Sequence, residues 1–324
     1  MAPVDLLDRK LLFELDNNSR QSFSQLAKKL HTSPQVITYR INRLKEEGII
    51  TSFMTALSTL SIGLPIVAKL YAQLSGITRA KEEDIFSFLS ENAHVNWVCK
   101  TVGEYDIFTA VMVKEFQEFA DFRRDFFVAF GDYVNHYEIS FIDKAYTLPR
   151  NYLVNRNTPL PESRLIHKTI TSSIAEEDKK ILRLIADDSR LPAVAIAKTL
   201  NRNIKTVMTR LNHLEDSGAI QGYRINIDRK KLGIHYYKVF IKIRSFDIQG
   251  RKSLLTFCLA QKYLIHLIEC IGKYEIELEM EMPTIDSMQS VVKDIRNQYA
   301  SIIESISITE IIEEMKLTWL PKSF

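Results

Sequence analysis

A chain of 324 residues, 46% hydrophobic and 26% charged, is long enough for two ordinary modules or four small domains and apolar enough to build real cores. Its longest apolar stretches, such as residues 107–113 and 139–142, end far short of a spanning helix, and no basic segment followed by an apolar run opens the chain, so a cytoplasmic protein without a membrane segment is expected. Three cysteines, Cys99, Cys258 and Cys270, with no Cys-x-x-Cys spacing, exclude a disulfide framework and read as reduced core thiols.

The net charge of +3 hides an alternation. Residues 1–60 carry 8 Lys+Arg against 6 Asp+Glu and residues 164–230 carry 13 against 8, whereas residues 65–145 carry 8 against 13 and residues 235–320 carry 10 against 12. The sequence also repeats. An ungapped shift of 170 positions sets Asp8, Ser19, Arg20, Arg40 and Gly48 on Asp178, Ser189, Arg190, Arg210 and Gly218. That period is too long for a solenoid and implies tandem duplication of a whole module with a basic and an acidic part.

In chain order, Leu7, Leu11, Leu12 and Leu15 form one stripe of a first helix that ends near Asp16. Ser22 caps a short second helix carrying Leu26 and Leu30, and His31-Thr32 makes a turn. Ser33-Pro34 opens a third helix, a capping hydroxyl followed by a proline where a missing N–H costs nothing, and Gly48 ends it. Ile37, Ile41 and Leu44 face the core of this helix, which turns Gln35, Tyr39, Asn42 and Arg43 outward. In the second copy Val207, Leu211 and Leu214 keep the apolar stripe while Lys205, Thr209, Asn212 and His213 hold the exposed positions. A fixed inner face with a changed outer face suits a helix-turn-helix unit whose third helix reads a DNA major groove. The candidate DNA-contacting residues are Ser33, Gln35, Thr38, Tyr39, Asn42 and Arg43, and Lys205, Thr209, Arg210, Asn212 and His213. The same pattern also fits a three-helix bundle with a solvated face; two copies with local positive charge favour double-stranded DNA as partner.

After each basic unit the period changes. Residues 66–74, 80–92, 95–102, 106–113, 115–130 and 134–142 read as β-α-β-β-α-β, and residues 236–246 to 303–313 repeat the order. This is the ferredoxin-like split motif, an antiparallel sheet with both helices on one face. The other face wants a partner. A linker with Pro149, Pro159 and Pro161 is long enough to bring the second sheet against the first, so a pseudo-dimer within one chain is expected.

The overall expectation is an α+β protein with two tandem copies of a winged/helix-turn-helix three-helix domain followed by a ferredoxin-like βαββαβ domain. The domains are 1–60, 61–145, 171–230 and 231–324, with a linker over 146–170. The sheets differ in chemistry. Glu275, Glu277, Glu279 and Glu281 alternate with apolar residues beside Lys238, Lys242 and Arg244, so both charged rows can lie on one face as cross-strand ion pairs; the alternative is a solvated face whose surface pairs are worth little. The corresponding first-copy row is read as Ala68, Leu70 and Ala72 beside Phe108, Ala110 and Met112.

Between the second and third strands lie Gly103-Glu104-Tyr105-Asp106 and Gly272-Lys273-Tyr274-Glu275. Each fits either a simple turn with a packing tyrosine or a tight loop beside a small polar pocket, making Gly103, Tyr105, Asp106, Gly272, Tyr274 and Glu275 the candidate effector-binding residues. No phosphate loop, metal-ligand spacing or nucleophile elbow is present, so neither cofactor nor metal nor catalytic residue is expected.

Asp8-Arg9-Lys10-Leu11-Leu12, Asn18-Ser19-Arg20, Ser33-Pro34-Gln35-Val36, Arg40-Ile41-Asn42-Arg43-Leu44 and Glu47-Gly48-Ile49-Ile50 together resemble the DNA-binding segment of the leucine-responsive (Lrp/AsnC, feast/famine) transcription regulators. The Gly103–Asp106 loop resembles the glycine loop of that family's regulatory domain. The resemblance implies third helices in major grooves, regulatory sheets packed face to face, and small effectors, often amino acids, near the glycine loops where dimers assemble further. Asn203-Ile204 replaces Ser33-Pro34, and Glu275 replaces the loop aspartate, so the two reading heads are unlike and an asymmetric DNA site follows.

Two rivals stand beside this reading. Siroheme decarboxylases look like the same two-domain arrangement and would need histidines and basic residues converging in the regulatory half, whereas His94, His136, His235 and His266 lie on different predicted elements. The other rival is an amino-acid-sensing assembly protein without DNA binding.

Overall fold

The computed structural model describes residues 4–155, 174–244 and 247–324. The first head is α1 (Leu6–Asn17), α2 (Phe23–Leu30) and α3 (Pro34–Glu46), followed by strand β1 (Ile50–Leu57). Its helices start where capping chemistry demands. Asp5 and Asp8 satisfy each other's backbone N–H, Ser22 and Gln25 do the same, and the Ser33 hydroxyl accepts from the Val36 N–H. Gly48, at φ +65°, ends α3 in the left-handed region. Leu11, Leu15, Leu26, Ile37, Ile41 and Leu44 close the core.

The first sheet half follows as β2 (Ile66–Leu74), α4 (Arg79–Glu91), β3 (Val95–Val102), β4 (Ile107–Val113), α5 (Phe116–Phe130) and β5 (Val134–Thr147). The second head is α6 (Glu176–Ile185), α7 (Ala193–Leu200), α8 (Ile204–Asp216) and β6 (Ile220–Ile227). The second half completes the chain with β7 (His235–Ile243), α9 (Ile248–Leu259), β8 (Leu264–Ile271), β9 (Ile276–Met282), α10 (Ile285–Tyr299) and β10 (Ile303–Leu317).

The heads are joined by their wing strands, which pair with each other: β1 runs antiparallel to β6, with Phe53 opposite Ile225 and Thr55 opposite Tyr223. The exchange extends to the cores. Leu57, Ile62 and Leu64 pack with Ile181, Leu182 and Ile185 of the second head, while Ile225 and Ile227 pack with Leu11, Leu12 and Leu15 of the first. Each head is thus completed by the strand of the other, which makes neither an independent unit.

The two halves do not merely stack. Their eight strands form one closed barrel in the order β10-β3-β4-β2-β5-β8-β9-β7. Closure uses the ends of β5 and β10, which run past residues 142 and 313, the expected ends of these strands, so that Lys144 pairs with Glu269 and Lys316 with Val98. A sheet left open would present unpaired strand edges; the exchange removes them. The sheets also meet face to face as expected, with Tyr71 and Phe108 of the first half against Phe240 of the second, and edge closure is added to that packing so that the inner faces line a lumen. Residues 146–155, at the start of the expected linker, belong to this folded body, with Leu148, Arg150 and Leu153 buried. Pro159 and Pro161 fall outside the described residues.

Two further corrections concern the sheet faces. Ala68, Leu70 and Ala72 belong to the helix-covered face with Ile107 and Val111, so the first-copy lumen row is Val67, Lys69 and Tyr71 beside Met112, Ala110 and Phe108. A shift of one residue exchanges the faces of a strand. The acidic row does pair across the strands with Lys238, but its face is inside and not solvated: Glu277 and Glu281 are 0% exposed, as is Lys238.

Candidate functional site

Three regions carry the chemistry: the outer faces of the heads, the paired glycine loops, and the barrel lumen. On α3, Gln35, Tyr39 and Asn42 are exposed, Tyr39 to 68%. On α8, Lys205, Thr209, Asn212 and His213 are exposed. Several candidates are also engaged locally. Ser33 caps α3, while the hydroxyls of Thr38 and Thr209 donate to the carbonyls of Pro34 and Lys205, one turn back in their own helices. Arg43 is drawn inward to Asp8 at 2.5 Å, beside Arg40 at 2.7 Å from the same carboxylate, and Arg210 repeats the second contact with Asp178 at 2.9 Å. These arginines fix the third helix against the first, while the side chains of Gln35, Tyr39 and Asn42 stay exposed.

The heads are held by a pseudo-two-fold contact. The buried hydroxyls of Ser19 and Ser189 lie 2.6 Å apart, and the Arg20 and Arg190 guanidinium groups donate reciprocally to the carbonyls of Ser189 and Ser19, each at 2.5 Å.

The glycine loops face one another across the halves. Glu104 accepts from Lys273 at 2.9 Å and from the Tyr274 hydroxyl at 2.7 Å. Tyr105 and Tyr274 are buried in one aromatic cluster around Phe240. Asp106 and Glu275 accept the backbone N–H of Leu74 and Ile243, tying each loop to the end of its first strand. A Cβ on Gly272 would meet the Ile139 carbonyl at 2.9 Å, and one on Gly103 would meet the Thr309 hydroxyl at 2.9 Å, so the glycines allow the loops to touch strands of the opposite half.

Inside the barrel Lys238 lies between Glu277 at 2.8 Å and Glu279 at 2.7 Å, and Lys69 of the first half reaches Glu277 at 2.6 Å. Further along, Arg150 bridges Asp16 at 2.5 Å and Glu281 at 2.9 Å, Arg224 reaches Asp16 at 2.7 Å, and Arg229 joins Glu281 at 2.6 Å to Glu314 at 3.3 Å. These are five cations, Lys69, Lys238, Arg150, Arg224 and Arg229, against five carboxylates, Asp16, Glu277, Glu279, Glu281 and Glu314, so the network is neutral as it stands. Burial alone would raise the Glu277 carboxyl, yet Lys238 and Lys69 hold it down to about 2. The network leaves the lumen through Asp16, on the first head.

A cavity of about 150 Å³ adjoins this network, lined among others by Met54, Thr59, Asn96, Trp97, His266 and Trp319. Burial pushes the His266 ring down to about 4, and Arg224 and Arg150 add to the effect against Glu279. Of the other candidate histidines, His136 stacks on Tyr105 and His235 pairs with Glu310, and neither lines this cavity. Asn96, Thr59, Arg150 and Arg224 were not singled out by sequence reasoning, since each comes from a different element and none belongs to a periodic pattern.

The folded chain is thus a two-headed helix-turn-helix protein built on a duplicated ferredoxin-like scaffold. A family model described as winged helix-turn-helix DNA-binding matches residues 4–51 and 176–221. An uncharacterized HTH-type transcriptional regulator of Pyrococcus furiosus is 31% identical over 123 residues, covering 38% of this chain and 81% of that protein. The HTH-type transcriptional regulator Ptr1 of Methanocaldococcus jannaschii is 30% identical over 119 residues, 37% of this chain and 78% of that protein. The chain belongs to the Lrp/AsnC family of HTH-type transcriptional regulators. Among solved structures, the siroheme decarboxylase NirDL shares the fold over 97% of this chain and 93% of its own, with a TM-score of 0.63 and 14% identity.

Proposed function

We propose that this protein is a sequence-specific DNA-binding transcriptional regulator in which one polypeptide supplies both reading heads. The observation that supports it is the exposure of Gln35, Tyr39 and Asn42 on α3, and of Lys205, Asn212 and His213 on α8, on two heads locked together through Ser19 and Ser189. Amide side chains suit adenine edges, and lysine suits guanine or phosphate. Because the two faces differ, the operator has unlike half-sites, spaced by about one helical turn or a multiple of it. A small-molecule effector, such as an amino acid, acts near the loops at Gly103–Asp106 and Gly272–Glu275, where further assembly of the pseudo-dimer would also occur; their contact across the halves supports this reading.

Selection of bound fragments from random DNA, followed by footprinting at two salt concentrations, tests it. A non-palindromic site with a steep salt slope is expected, since phosphate contacts release counterions. Recovery of no preferred sequence would overturn it.

A second reading, a siroheme-decarboxylase-like enzyme, is favoured by the full-length likeness in fold and by His266 and three arginines around one cavity. At about 150 Å³ the cavity is below the roughly 300–1,000 Å³ of drug-sized pockets, so a tetrapyrrole would require its wall to open. Incubation with siroheme and analysis of the product for lost carboxyl groups decides this reading.

A further inference from the structure

We propose that the cavity between the barrel and the paired wing strands β1 and β6 binds a small uncharged molecule carrying an amide-like pair, one hydrogen-bond donor beside one acceptor. This site lies apart from the glycine loops and does not depend on the DNA-binding reading.

Its size is the first argument. A cavity of about 150 Å³ matches the engineered void that accommodates benzene, so one six-membered ring with a small substituent fits. Its unsatisfied groups are the second. The Asn96 Oδ1, the Thr59 Oγ1 and the Trp319 Nε1 are buried without a hydrogen-bond partner among the described residues, and all three residues line this one cavity. Asn96 is 8% exposed and Thr59 4%. Native proteins leave few such atoms unpaired, and here they cluster. The indole N–H seeks an acceptor and the Asn96 oxygen seeks a donor, which a primary amide supplies together. The apolar part of the lining includes Met54, Ala110 and Met112.

Charge supplies the third argument. The ion network beside the cavity is internally balanced, so an ionised ligand would enter a low-dielectric site with no free counter-charge. A neutral ligand avoids that cost. Access has a place as well: Asn226, Arg229, Tyr236 and Glu314 line both the cavity and an outer groove of about 650 Å³, so these side chains form the wall between them.

The chain has two tryptophans, Trp97 and Trp319, and both line the cavity, which makes intrinsic emission a direct readout. The full-length protein is titrated with benzamide, benzoate and toluene. Benzamide is expected to change the emission saturably with a Kd of about 1 mM, as suits so few atoms. Benzoate and toluene are expected to bind at least about tenfold more weakly, for want of a counter-charge and of hydrogen bonds respectively. Asn96→Leu should abolish the benzamide response; Thr59→Val, which keeps the side-chain shape, is the second variant should the first fail to fold. No saturable response in the parent overturns the proposal. Toluene binding as well as benzamide marks a dry apolar void and overturns it too, as does an unchanged response in either folded variant.

Discussion

Ser19 and Ser189, exactly one repeat apart, share a hydrogen bond of 2.6 Å on the pseudo-two-fold axis, so the duplicated residue meets its own copy. Both are 0% exposed, and the arginine after each reaches across to the backbone of the other. This is the isologous contact of a symmetric dimer, reproduced inside one chain.

Replacing only one of the pair strands the other. Ser19→Ala should cost about 1–3 kcal/mol, because the Ser189 hydroxyl is left buried without its partner. The double variant Ser19→Ala/Ser189→Ala should cost less than the sum of the singles, since removing both partners removes the unsatisfied group. Urea unfolding of the four proteins measures the coupling; additive losses would show that the contact contributes nothing of its own.

On the reading faces, Gln35→Ala and Asn42→Ala should each weaken binding to a selected operator by about 1–3 kcal/mol and relax base preference in one half-site. Asn212→Ala should act on the other half-site only. Arg43→Ala behaves differently: its guanidinium is held 2.5 Å from Asp8, so the change loosens α3 from α1 and lowers affinity with little change in base preference. Footprints of the four variants on one operator separate these outcomes, and identical relaxed preference for Arg43→Ala and Asn42→Ala would contradict the assignment.

In the barrel, Lys238→Met leaves Glu277 and Glu279 without the ammonium that lies between them. Breaking a buried pair from one side costs about 3–5 kcal/mol. The double change Lys238→Met/Glu279→Gln should recover much of that loss, as one cation and one carboxylate are removed together while Lys69 keeps its pair with Glu277. Chemical denaturation reads both, and a double variant no more stable than the single would show that geometry, not uncompensated charge, sets the cost.

The heads were legible because each helix of the first announces itself twice, by an apolar stripe and by a capping side chain such as Ser22 or Ser33, and the second head repeats those stripes 170 positions on, with Asn203 capping its third helix. Both βαββαβ halves were legible through alternation. Closure of the barrel was not. The strand ends that achieve it, Asp143–Thr147 and Glu314–Leu317, mix charged and apolar residues and pair only with the other copy. The lumen was hidden for a related reason: a row of glutamates at every second position looks solvated until Lys69 of the distant copy is known to lie against it. The cavity has still less local signal, since Thr59, Asn96 and Trp319 meet only through the folding of three separate segments.

Acid should destabilise the fold in two stages, each with a named group. Burial lowers His266 from 6.5 to about 4, with Arg224 and Arg150 adding to it, so the unfolded chain binds its proton first as the pH falls. Glu277 is lowered from 4.5 to about 2, where Lys238 and Lys69 outweigh the opposing effect of burial. For a folded pKa below the unfolded one, stability is fully present above the unfolded value and is lost as the pH falls through the folded value. The thermal midpoint should therefore begin to fall below pH about 6.5 from His266 and steepen below about 4.5 from Glu277. His266→Gln should flatten the upper stage and leave the lower one, and a parent profile that stays level between pH 7 and about 5 would rule out a neutral His266 beside the arginines.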